Sequence, residues 1–339
     1  MPSAAIWRSS IPRTSAVFSS SAGLVAALVL LAGPAAAQQR AVVSGRIVRT
    51  VPGDTVPAPG VRVVLHRIGQ TVQGAIDSLR TPADGRFRFG LVRDTAALYL
   101  VSARYGGIEY FSDPISLDST ATPPALTLLV ADTSSTVPVD LAGRYLVIGA
   151  PDPQRHRTMV DLFVLRNPGT VTRVARDSMT PLWSAVLPAG ATSHRVAETG
   201  SEVSAQAVQF RGDTMLVFAP LSPGLKQLLV EHLFPAALSQ VSVPLGEGAA
   251  QLQVVTEEPG VIVTGAGMRR AESQVIDDRP LARWVGQGGR GGALELSFPG
   301  PGRNETPMVV ALVALMAGGL VAGAWLGFRR RLAGGPTRR

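Results

Sequence analysis

The chain has no cysteine and only one lysine, Lys226, in 339 residues. Without thiols there is no disulfide scaffold, no thiol nucleophile, no cysteine zinc site and no covalently attached c-type haem. The lone lysine lies between Leu225 and Gln227, so no Gly-Lys-Ser/Thr phosphate loop exists. It also serves no Ser-x-x-Lys hydrolase, because residue 223 is proline. No Gly-x-Ser-x-Gly elbow and no His-Glu-x-x-His helix motif is present. The four histidines, His66, His156, His194 and His232, are far apart in the chain. Glu231 and His232 are adjacent on an expected strand, where neighbours point to opposite faces and cannot simply share one metal. These absences lead to the expectation of a protein that is not an enzyme and has no cofactor or metal.

Aromatic residues are also scarce, at 5% of the chain. Three of the four tyrosines, Tyr99, Tyr105 and Tyr110, fall within a dozen residues. A carbohydrate platform needs open aromatic faces, so these three are the candidate ligand residues. Asp84, Asp94 and Asp113 are oxygen donors at turns, without EF-hand spacing, and read as turn residues. Arg211-Gly212-Asp213 between two strand-like runs reads as a turn as well.

The net charge is +8, which invites a nucleic-acid partner until the charges are located. Two arginines fall in residues 1–37 and five in 329–339. The stretch between holds 25 basic and 24 acidic residues, a net charge of +1. No excess of base remains there to track a phosphate backbone, so no nucleic-acid partner is expected.

Both ends carry apolar runs. Residues 1–37 combine Arg8 and Arg13, a core over 24–31 and Ala35-Ala36-Ala37 before Gln38, the pattern of a cleaved signal peptide. Residues 307–328 contain no charge and are long enough for a transmembrane helix. The basic tail at 329–339 then places the C-terminus in the cytoplasm. The expected location is the cell membrane, single-pass, with a periplasmic body and membrane lipid as a partner. Gly319, Gly323 and Gly327 recur every four residues. They would pack one helix against another, in a homodimer or with a partner membrane protein.

Between the ends the pattern is β throughout. Residues 41–130 hold short runs rich in valine and isoleucine, punctuated by Pro59-Gly60, Asp84-Gly85 and Gly106-Gly107. Arg86-Phe87-Arg88-Phe89 alternates with the period of a strand, phenylalanines inward. Thr133 to Pro138 reads as a linker, 138–244 as a second β-rich domain, and 245–300 as a small further domain or the completion of the second.

The first of these segments resembles the carboxypeptidase regulatory-like domain at Gly45, Pro59-Gly60, Asp84-Gly85, Phe87 and Phe89. That resemblance implies a transthyretin-like sandwich, grouped also with starch-binding-like folds. The order of segments is similar to that of bacterial exported membrane proteins in which an Ig-like segment follows such a domain. The expected fold class is mainly β: tandem small antiparallel β-sandwich domains, transthyretin-like and then Ig-like, with one C-terminal transmembrane helix. The expected role is a non-enzymatic, membrane-anchored envelope protein whose β domains bind or support. The alternatives are a carbohydrate-binding surface or periplasmic receptor, and an accessory subunit of a membrane transport or assembly complex.

Overall fold

The computed structural model describes residues 40–299, apart from 71, 119–122 and 277–278. Among the described residues the one helical element is a single 3-10 turn at Ala205–Ala207. The rest is strands and connections, as expected from a chain rich in β-branched runs and closely spaced turn residues.

The first sandwich consists of β1 (Arg40–Val51), β2 (Asp54–Pro57), β3 (Arg62–Ile68), β4 (Gln73–Arg80), β5 (Arg86–Val92), β6 (Leu98–Tyr105), β7 (Ile108–Phe111), β8 (Ile115–Ser116) and β9 (Leu126–Val130). One sheet is built on β1, with β2, β5 and β9 beside it; the other runs β4-β3-β6-β7, with β8 on β6. Val43, Ile47, Val63, Leu65, Phe89 and Val101 meet in the core between them. In β5 the pleat buries Phe87 and Phe89 and leaves Arg86 and Arg88 exposed.

The remainder adds β10 (Thr133–Ser134), β11 (Asp140–Ile148), β12 (His156–Asn167), β13 (Thr172–Arg173), β14 (Trp183–Val186), β15 (Ser193–Val196), β16 (Val208–Arg211) and β17 (Thr214–Val217). It continues with β18 (Gly224–Pro235), β19 (Gln240–Pro244), β20 (Ala249–Thr256), β21 (Ile262–Thr264), β22 (Arg269–Ile276), β23 (Arg279–Gly288) and β24 (Ala293–Ser297). A seven-stranded sheet, β15-β18-β12-β11-β20-β23-β22, forms its centre. Two three-stranded sheets pack on one face of it. The sheet β19-β24-β21 joins Leu146, Ile148, Met159 and Phe234 in one core. The sheet β14-β17-β16 joins Phe163, Leu165, Leu228 and Val230 in another.

Two expectations are corrected here. The first concerns the simple tandem of small antiparallel sandwiches. β1 runs parallel to β9, β10 to β13 and β11 to β20, and the central sheet has seven strands. Strand period is a local signal, whereas parallel pairing joins segments far apart in the chain and leaves no periodic trace. The second concerns the membrane. Among the described residues no helix is long and apolar enough to cross one. The single-pass architecture rested on the hydropathy of 307–328, which lies outside the described residues, as do 1–37, the tail at 329–339 and Gly319, Gly323 and Gly327. The membrane-anchored role, the lipid and helix-mediated partners and the cell-membrane location rested on that segment, and nothing among the described residues supports them. The described protein is mainly β and multi-sheet.

Candidate functional site

The three tyrosines do not form a platform. Tyr99 and Tyr110 are buried, at 1% and 7% exposure, and Tyr105 is half-buried. The buried rings of Tyr99 and Tyr110 present no open face for stacking. The Tyr110 hydroxyl donates to the Ala131 carbonyl (2.9 Å) and meets the Thr172 hydroxyl (2.7 Å). The Tyr105 hydroxyl donates to Asp132 (2.9 Å), which also takes Arg49 (2.9 Å). With Thr50 Oγ1 donating to the Thr170 carbonyl (2.6 Å), these groups join the first sandwich to the next segment.

The aspartates at turns serve their own backbone. Asp84 accepts from the Arg86 amide (3.0 Å) and Asp94 from the Ala96 amide (2.9 Å), while Arg67 also bonds Asp94. Among the described residues no group of three His, Cys, Asp or Glu could hold a metal.

His66 meets a serine and a carboxylate: its Nε2 is 2.8 Å from Ser102 Oγ, and that hydroxyl donates to Glu109 (2.5 Å). The serine proton is directed at the glutamate, so the imidazole must donate to the serine oxygen. Ser102 is fully buried, so no substrate carbonyl can reach it. The trio ties β3, β6 and β7 together and lacks the arrangement of an activated nucleophile.

The main concentration of ionisable groups lies on the central sheet, and strand register explains it. Asp161 pairs with Leu146 across β11 and with Val230 across β18, while His232 pairs with Met159 and with His194 on β15. Residues directly opposite, and those two apart on one strand, share a face. Arg144, Asp161, His232 and His194 therefore lie together on one face, between the two apolar cores described above. The Arg144 guanidinium grips Asp161 through Nε (3.0 and 3.1 Å) and Nη2 (2.5 Å), and its Nη1 donates to the Pro244 carbonyl of β19 (2.5 Å). It also lies over the Phe163 ring, 4.7 Å from the centroid. His232 Nε2 is 3.7 Å from Asp161, and His232 Nδ1 is 2.7 Å from His194 Nδ1. His194 stacks on Phe210 of β16, with its Nε2 3.8 Å from Asp213 at the tip of the β16–β17 hairpin.

Only one proton can occupy the bond between the two Nδ1 atoms. If His232 supplied it, the bare Nε2 lone pair would face the Asp161 carboxylate in a fully buried place. With His194 as donor, His232 carries its single proton on Nε2, toward Asp161, and the charges agree. Burial pushes the Asp161 carboxyl up, but the Arg144 charge and the contacts with His232 and Arg144 outweigh it, and the group sits below the usual carboxylate value. Burial lowers the His194 imidazole and proximity to His232 lowers it further, while Asp213 opposes both; the result lies below the ordinary value of 6.5.

A histidine held below its unfolded value favours folding above that value, and the contribution is lost as pH falls through it. The thermal midpoint of the full chain should therefore drop on acidification from pH 7.5 through 6.5 and below. The drop should be shallower in His194→Gln over that range. Parallel melting curves for the two proteins at each pH check this; identical slopes would refute it.

A second buried pair stands at the far end of the same face. Arg157 donates through Nε (2.9 Å) and Nη2 (2.7 Å) to Glu258 and lies 3.8 Å from the centroid of Phe298. Arg144 and Asp161 join the neighbouring strands β11 and β12, Arg157 and Glu258 join residues 101 apart in the chain, and both pairs are buried. Sequence reading dispersed the histidines because His194 and His232 are 38 residues apart; only the β15–β18 register joins them. Arg144 and Asp161 offered no signal beyond being charges within apolar strands.

An open groove of about 730 Å³ lies on the first sandwich, where the chain crosses from β4 to β5. It is lined by Arg46, Arg80, Arg86 and Arg88 over a floor that includes Ser44 and Gly45.

No family model matches the chain, which corrects the expected membership of the carboxypeptidase regulatory-like family. The signals behind that expectation, glycine turns and a Phe-x-Phe strand, recur in many β proteins. No curated protein matches it. Among solved structures it is similar to invasin, a bacterial integrin-binding protein, at 13% identity over 73% of this chain, with a TM-score of 0.15. The chain spans about half of that structure, 54%, and a likeness this slight carries no argument about function.

Proposed function

We propose that this protein is a non-catalytic β-scaffold, with packed sheets that hold binding or structural surfaces in fixed positions. The observation that carries the reading is the pairing of the buried charges with one another. Arg144 with Asp161 and Arg157 with Glu258 are nearly or fully buried and pin strands and sheets together. A catalytic pair needs a reacting atom within hydrogen-bond reach and an approach to it; these pairs have packed side chains on every side. We take the first sandwich, 41–130, as one folding unit. We take the residues from 138 onward as another, in which the segment after 245 completes the second domain, since β20 and β23 lie inside the central sheet.

The test is direct. The full chain is assayed against chromogenic esters, phosphate esters, glycosides and peptides beside a His194→Gln/His232→Gln variant. Equal background rates are expected. Turnover above background in the parent that the variant loses would overturn the scaffold reading.

A further inference from the structure

The arginine groove of the first sandwich lies apart from the buried charge pairs of the scaffold. Arg46 and Arg86 are direct partners across β1 and β5, and Arg88 lies opposite Ser44, so the three arginines share the outer face of one sheet. Arg80, at the end of β4, closes the groove from the other sheet and donates to the Gly60 carbonyl (2.9 Å). The lining holds these four guanidiniums and no carboxylate, on a segment where basic and acidic residues are otherwise nearly balanced. Arg86 has one acidic neighbour, Asp84, at 3.5 Å, and both side chains are largely exposed. Arg46 and Arg88 have no hydrogen-bond or ion-pair partner among the described residues.

Like charges placed directly opposite each other on neighbouring strands destabilise a sheet. A bound anion removes that repulsion, and the guanidinium fork fits carboxylate and phosphate oxygens in pairs. The geometry also sets a spacing. Cross-strand partners have Cβ atoms roughly 5 Å apart, and residues two apart on a strand are separated by about 7 Å. The floor is low at Ser44, whose side chain is short, while Gly45 beside it faces the core. A Cβ at Gly45 would lie 2.7 Å from the Phe87 ring. Phe87 is the one aromatic residue in the lining and is buried, at 4% exposure. No ring is open to stack a nucleobase.

We propose that this groove is a binding site for a ligand with two or more carboxylate or phosphate groups about 5–7 Å apart, held by Arg46, Arg86 and Arg88 with Arg80 at the rim. The proposal goes beyond the scaffold reading and stands without it, because an anion site requires no particular chemistry in the interior.

Calorimetric titration of the full chain with tripolyphosphate and with citrate tests it, at low and at moderate salt. Binding of at least one probe is expected, weakening as salt screens the charges. Binding of tripolyphosphate alone identifies phosphate as the group recognised, citrate alone identifies carboxylate, and both together identify the shared chemistry. In Arg46→Gln/Arg88→Gln the affinity should fall by roughly tenfold or more, since each removed contact is a charge-assisted hydrogen bond. The same variant without ligand should melt no lower than the parent, which separates lost recognition from lost folding. Arg104→Gln, on the other sheet, should bind as the parent does. Binding of neither probe, or equal affinity in parent and double variant, would overturn the proposal.

Discussion

Asp161→Ala is expected to destabilise the protein by about 3–5 kcal/mol, because it leaves the Arg144 guanidinium buried without its counter-charge. Arg144 and Asp161 side chains are 2% and 0% exposed, so water cannot replace the lost partner. The second half of the prediction isolates the cause. Arg144→Met combined with Asp161→Leu removes both charges and refills the space with apolar atoms, and replacements of this kind are often neutral or stabilising. Chemical denaturation should place the single variant far below the parent and the double variant close to it. A double variant as unstable as the single would show that packing, and not the unpaired charge, sets the cost. His232 shares this fate in part, since its orientation depends on the Asp161 carboxylate; the acid sensitivity expected through His194 should be altered in both variants.

Gly85→Val is expected to be the most damaging change outside that cluster. Gly85 adopts φ of +73°, and a β-branched residue there is an outlier. Backbone conformations of this kind cost about 1–3 kcal/mol. Space compounds the cost. A Cβ at Gly85 would run into the Ile47 carbonyl oxygen and lie 3.2 Å from the Ala58 amide nitrogen. Neither backbone atom can retreat, because the Ile47 carbonyl already accepts from the Ala58 amide (3.1 Å) and the Ile47 amide donates to the Gly85 carbonyl (2.8 Å). Gly60 is the control: its φ is +72°, and a Cβ there meets nothing within 4 Å. Gly60→Val should show the backbone cost alone, and Gly85→Val that cost plus the collision. Urea midpoints of the two variants measure the difference; equal losses would refute the steric part. Because Gly85 directly precedes Arg86, the same substitution should displace one wall of the arginine groove.

Parts of this were legible in the residues. Asp84-Gly85 before Arg86-Phe87-Arg88-Phe89 announces a turn entering a half-buried strand, and both phenylalanines go inside. The two arginines were equally legible as outward-facing, but not as members of a groove. That required Arg46 to arrive on β1 and Arg80 on β4, both from earlier in the chain than the turn. Tyr99 and Tyr110 were singled out for being aromatic and close together, and burial decided otherwise: one fills the core and the other joins two segments of the chain. His194 and His232 were dismissed for their separation, which antiparallel register between β15 and β18 cancels.

By itself the sequence determined which chemistries are closed, since a chain without cysteine and with a single lysine cannot supply thiol or phosphate-loop machinery. It also determined strand character and turn positions, because these depend on period and on residues within a few places of each other. The tertiary structure alone decided the parallel pairings, the seven-stranded sheet, the buried charge cluster and the arginine groove. The physical reason is that local period specifies which face of a strand is apolar, whereas neighbour and register are chosen by burying that face against segments far along the chain.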